Sequence, residues 1–100
     1  MKIFLFDLIV YYIDDEITRL KVVKAKNLNN AASILKKYFV EFYGVPSINE
    51  FDNTYIDGLL VNFTYDFGIS NGINKIEITN IEETTKESAK EQLYKMNKIE

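Results

Sequence analysis

Ile3–Ile13 (IFLFDLIVYYI) is apolar at almost every position, and no other stretch of the chain limits the fold so strongly. In an extended chain, Phe4, Phe6, Leu8, Val10 and Tyr12 face one side. Ile3, Leu5, Ile9, Tyr11 and Ile13 face the other. A strand oily on both sides must be covered on both sides or lie between neighbours inside a sheet. The pattern predicts a central strand in a small domain of mixed α and β structure.

The remaining elements follow from changes of period. Asp14-Asp15-Glu16 is short and polar enough for a hairpin turn. Ile17–Lys26 then alternates, with Thr18, Leu20 and Val22 on one side and Arg19 and Lys21 on the other. Its β-branched residues indicate a strand and its lysines an edge. Asn27 suits a helix N-cap, and Leu28, Ala31, Ala32, Leu35, Phe39 and Phe42 form one helical stripe that ends at Gly44 and Pro46. Val45–Asn53 reads as a loop. Thr54–Phe67 reads as a third strand, with Gly58 marking a bulge inside it. Gly68–Gly72 forms a second hairpin loop, and Lys75–Ile81 a fourth strand with Ile76 and Ile78 inward. Thr84 and Glu87 have capping-box spacing. A last helix then runs to about Asn97 on a narrow stripe of Ala89, Leu93 and Met96, and residues 97–100 should fray.

These elements predict a two-layer ββαββα domain of the α+β class. Its sheet has four antiparallel strands in the order 2-1-3-4, with two helices on one face. One hundred residues, 47% hydrophobic and 27% charged, suit a single domain spanning residues 1–100. With both helices on one side, the second face of the sheet is left uncovered. Strand ends and loops could cover it, or it could be the interface of a homodimer or a partner.

Neither cysteine nor histidine occurs. That excludes disulfides, thiolate or imidazole metal sites, and Ser-His-Asp or Cys-His catalysis within the chain. No glycine-rich phosphate loop is present. The apolar start is interrupted by Asp7, has no small-residue cleavage site and is too short to span a bilayer. A cytoplasmic location without membrane association is the expectation. Eleven Lys against one Arg, with thirteen Ile and ten Asn, favour AT-rich codons and hence a low-GC genome or a mobile element within one.

Among the carboxylates, Asp7 is costly inside an apolar strand unless it reaches solvent or pairs with Arg19 or Lys21 across the first hairpin. Asp66 and Glu77 straddle the second hairpin, but the lysine a metal-dependent nuclease would place beyond Glu77 is Thr79. Asp52, Asn53 and Asp57 fit no calcium loop. No metal, cofactor or catalytic residue is assigned, and the chain is read as a non-enzyme.

Charge is unevenly distributed. From Ile17 to Val40 there are six bases (Arg19, Lys21, Lys24, Lys26, Lys36 and Lys37) and no acid, while the rest of the chain carries a net −9. The basic segment is a candidate contact for nucleic acid or an acidic partner. A pI of about 5.0 and the absence of an aromatic RNA-binding pattern on the strands argue against nucleic acid. Fourteen aromatic residues exceed what one small core requires, and exposed tyrosine provides contact area at interfaces. The candidate partner-binding patch is therefore acidic and tyrosine-bearing: Asp14, Asp15, Glu16, Tyr11, Tyr12, Glu50, Asp52 and Tyr55.

The sequence thus indicates a protein-binding module. The profile suits small phage or mobile-element proteins that inhibit a host nucleic-acid-handling or defence enzyme, CRISPR systems included, by occupying its binding surface. The alternatives are a self-associating structural or assembly subunit, and a nucleic-acid binder acting through residues 17–40.

Overall fold

The computed structural model describes residues 1–68 and 72–98, with side chains as far as Lys95. The chain runs β1 (Lys2–Tyr12), β2 (Glu16–Ala25), α1 (Leu28–Tyr43), a 3-10 turn η1 (Ile48–Glu50), β3 (Asp52–Ile56), β4 (Leu59–Asp66), β5 (Ile73–Thr84) and α2 (Lys86–Lys98). The fold is α+β. One sheet has the order β2-β1-β5-β4-β3, and all its pairings are antiparallel.

The expectation for β1 holds: it lies inside the sheet, with β2 on one side and β5 on the other. Lysine-rich β2 is an edge strand, as its composition suggests. The four-strand count and the order 2-1-3-4 do not hold. The segment read as one long third strand is two strands joined at Asp57-Gly58, where both residues have positive φ (51° and 79°). Two consecutive left-handed residues make a tight primed turn whose twist matches an antiparallel ribbon, and Asp-Gly is a preferred dipeptide for it. The hairpin folds outward, and the last strand, β5, takes the place beside β1.

β5 reaches that place through a change of phase. Ile73, Ile76, Ile78 and Ile81 pair with Tyr12, Val10, Leu8 and Phe6 and so share their face, although their spacings alternate between three and two. Two β-bulges make this possible. Asn74 and Thr79 are each an extra residue against β1, and each extra residue restores the inward phase. Their side chains also bond β1 carbonyls: Asn74 Nδ2 donates to Tyr12 O at 3.4 Å and Thr79 Oγ1 to Asp7 O at 3.3 Å.

The main core lies between this face and α1. Phe4, Phe6, Leu8, Val10, Phe39 and Phe63 are among its buried members. α1 is bounded as its sequence predicts: Asn27 Oδ1 accepts from Asn30 N at 2.9 Å. At the other end Gly44 is left-handed (φ 80°) and Val45 N bonds Phe39 O at 3.4 Å. The stripe is narrower than predicted, because Phe42 is 68% exposed. α2 begins one residue later than the capping box implied. Ser88 N donates to Thr85 Oγ1 at 3.1 Å, so Thr85 is the cap.

The helices do not share a face. α2 packs on β1, and Leu5, 1% exposed, is buried with Ala89 outside the core beneath α1. Leu5 belongs to the odd-numbered side of β1, so α2 lies on the second face, and burying that leucine contributes about 1.5–3 kcal/mol. The surface expected to be bare is thus covered at one end by the chain itself. Among the described residues, no helix is long and apolar enough to cross a membrane.

Candidate protein-binding site

The β3–β4 hairpin is joined to the rest of the sheet at one end. β4 pairs with β5 only over Thr64–Asp66, and beyond that point Asn62 Nδ2 caps the Ile78 carbonyl at 2.6 Å, substituting for a strand partner. Every residue of β3 is exposed. At the tip, Tyr55, Ile56 and Leu59 are 56%, 60% and 64% exposed, and Ile56 and Leu59 pair directly beside the turn. Three large apolar side chains on a two-stranded arm, uninvolved in the core, are a costly surface for water to cover.

The base of this arm is anchored. Phe51, just before β3, is buried against Phe63 at 5.5 Å and Phe39 at 5.9 Å between ring centroids. A bulge between Thr54 and Tyr55 in the β3–β4 register makes Val61 an extra residue, which lets Leu60 turn into the core. Lys36 Nζ donates to Asn53 Oδ1 at 2.8 Å and lies 4.9 Å from the Phe63 ring centroid. Burial at this position lowers the Lys36 pKa below the usual lysine value. The arm is therefore held at its root and apolar at its tip.

Apart from Lys36 at its root, the charges the arm's own segment carries have one sign. Between Lys37 and Lys75 the sequence contains no base and five acids: Glu41, Glu50, Asp52, Asp57 and Asp66. Asp57 lies in the turn itself, between Ile56 and Leu59.

The structure divides the predicted acidic and tyrosine patch. Asp14 and Asp15 lie at the β1–β2 turn, with Tyr11 paired to Glu16 beside them. Because β4 runs antiparallel to β5, and β5 to β1, the tip at Asp57-Gly58 lies at the opposite end of the sheet. Tyr55 and, nearer the root, Asp52 and Glu50 accompany the arm. Tyr12 turns toward the main core and packs against it.

Tyr11 belongs to the second sheet face. Its hydroxyl donates to Glu77 Oε1 at 2.9 Å, and Lys75 Nζ lies 5.3 Å from its ring centroid. The bond to Glu77, burial, and the charges of Glu77 and Glu16 raise the Tyr11 pKa. By register, Asp7, Glu16, Asp66, Glu77 and Glu82 share this face. Asp7 therefore does not pair with Arg19 or Lys21, which stand opposite Leu8 and Phe6 on the other face, but sits half-buried beside Leu20 and Asn80.

Nor do the six bases of residues 17–40 make one surface. Lys36 is drawn toward β3, Lys24 points to the second face, and Arg19 and Lys21 point to the α1 side. Lys21 Nζ bonds the Tyr38 hydroxyl at 3.1 Å and lies 4.5 Å from its ring centroid. Lys26 and Lys37 remain exposed. Among the described residues, no group of three or more His, Cys, Asp or Glu side chains is arranged to hold a metal ion. The chain matches no protein-family model, no curated protein and no solved structure.

Sequence reasoning missed Ile56 and Leu59. The available signal was the Asp-Gly dipeptide between two alternating runs, inside a proposed strand far longer than the usual five or six residues.

Proposed function

We propose that this chain is a non-enzymatic protein-binding module whose β3–β4 arm docks into a cleft with an apolar floor and a basic rim. The observation carrying this reading is the exposed set Tyr55, Ile56 and Leu59 at the end of an anchored hairpin whose own ionised side chains, Asp52, Asp57 and Asp66, are all acidic. Aromatic and aliphatic anchors buried at the centre of an interface supply most of its binding energy. Acidic residues around them add steering toward a basic partner.

A groove that holds nucleic acid is basic because it neutralises phosphates. An enzyme with such a groove is the partner class that best complements this arm, and filling the groove would inhibit it by exclusion. The particular version is a phage or mobile-element inhibitor of a host defence enzyme. Its support is the acidity of the chain and its AT-biased residue usage.

The test is a photo-crosslinking amino acid at position 56, compared with one at Ser33 on α1. The expected result is one partner captured from position 56 and lost when nucleic acid is added as competitor. Capture that nucleic acid does not affect would contradict the inhibitor reading, and equal capture from both positions would contradict the arm.

A further inference from the structure

A second surface, on the opposite edge of the sheet, has the opposite charge. Among the described residues β2 pairs with β1 alone, so its outer edge is unpaired there. The closing bond of the first hairpin, Tyr12 N to Asp15 O at 2.7 Å, makes that pair a hydrogen-bonded one. In an antiparallel ladder, bonded and non-bonded pairs alternate. The register then directs the backbone N–H and C=O groups of Thr18, Leu20, Val22 and Lys24 off the edge.

Beside this edge runs an apolar groove of about 170 Å³ between β2 and α1, lined by Lys21, Val22, Val23, Ile34, Leu35 and Tyr38. Ile34 is 41% exposed. Together with Tyr38 and Phe42 it forms a ridge along the helix flank at spacings of four. A strand added to β2 would lie beneath this ridge, and every second side chain would enter the groove. A cavity of ~150 Å³ already accommodates a group the size of benzene.

Charge selects the occupant. β2 carries Arg19, Lys21 and Lys24, of which Lys21 lines the groove and Arg19 shares its face, in a segment without acids. A second copy pairing through β2 would set these cations against each other, and edge lysines are an established barrier to such pairing. An acidic strand would complete both the backbone ladder and the charge.

We propose that the free edge of β2 is a strand-addition site for an extended peptide segment of a partner protein, alternating acidic and apolar side chains. Backbone bonds would supply affinity and the groove would select the alternate apolar residues. This site shares no residue with the β3–β4 arm and does not depend on the function proposed for it.

The test uses a labelled decapeptide of alternating Glu and Val, with a Lys-Val counterpart and a single-stranded oligonucleotide, followed by fluorescence anisotropy. The Glu-Val peptide is expected to bind, to weaken with salt, and to protect the Leu20, Val22 and Lys24 amides from exchange. Val22→Pro removes one outward donor without touching the β1 ladder and should weaken binding roughly tenfold. Ile34→Asp, on the exposed helix flank, should do the same and keeps the test valid if the proline variant fails to fold.

Several results would overturn the proposal. One is binding no tighter than that of the Lys-Val peptide. Another is full binding by both folded variants, which would mean charge attraction alone. Oligonucleotide binding that competes with the peptide and ignores both substitutions would identify a phosphate surface. A dimer that the peptide does not dissociate would identify the edge as a self-interface.

Discussion

Tyr11 and Glu77 are sixty-six residues apart and joined by one hydrogen bond, the phenol donating to Oε1 at 2.9 Å across the β1–β5 ladder. The pair lies on the acidic second face, where the Tyr11 hydroxyl is the donor and Glu77 the acceptor. Tyr11→Phe should cost about 0.5–1.5 kcal/mol in chemical denaturation, with the secondary structure unchanged.

The same bond sets a pH dependence. The folded state raises the Tyr11 pKa above the ordinary tyrosine value of 10.0. Its contribution is fully present below that pH and is lost as pH rises through the folded value, because the native state holds the proton longer than the unfolded chain. The expected outcome is a tyrosine ionisation phase above pH 10 in an ultraviolet titration that is absent from Tyr11→Phe.

Lys36 has the opposite sign. Burial lowers its pKa from 10.5, so the native state releases this proton first and the linked contribution grows as pH rises from the folded value toward 10.5. Lys36→Met keeps the aliphatic stem over Phe63 and removes the desolvated charge. Its stability should stay within about 1 kcal/mol of wild type. Lys36→Asp should lose about 2–3 kcal/mol, by burying a charge of the wrong sign beside aromatic rings. Denaturant midpoints distinguish the two.

The bulges of β5 predict an asymmetry between deletions. Removing Thr79 takes out an extra residue and leaves Ile76, Ile78 and Ile81 in strict alternation toward the core, at a cost of about 1–2 kcal/mol. Removing Glu77 reverses the phase on one side of the deletion and turns isoleucines outward, so that variant should fail to fold. Circular dichroism and a denaturation curve for each suffice.

Gly58 sits at φ 79° with open space where a Cβ would stand, so Gly58→Ala meets backbone strain alone. It should cost about 1–2 kcal/mol, measured in the same way.

Much of this architecture is legible in the sequence because it follows from period and capping. β1 is interior because both of its sides are oily, β2 is an edge because of its lysines, and α1 is bounded by Asn27 and Gly44. Errors arise where local pattern and long-range pairing part company. Thr54–Phe67 alternates almost continuously, so Asp57-Gly58 reads as a flaw in one strand when it is a turn between two. Ile81 breaks the alternation of β5 in sequence, and only pairing with β1 shows that Thr79 restores its phase. α2 is assigned to the wrong face because a narrow stripe of Ala89 and Leu93 carries no information about which side of a sheet it will cover. The binding candidates divide similarly: Tyr55 and Asp52 are proposed from composition, whereas Ile56 and Leu59 are proposed only from the exposed tip of the hairpin.

The most direct test of the central claim is the affinity of the double variant Ile56→Asp/Leu59→Asp for the partner captured through position 56, measured by titration calorimetry. Both side chains are exposed, so stability should change by less than about 1 kcal/mol. The account predicts a loss of affinity of about a hundredfold or more. Unchanged affinity in a folded double variant would contradict the account.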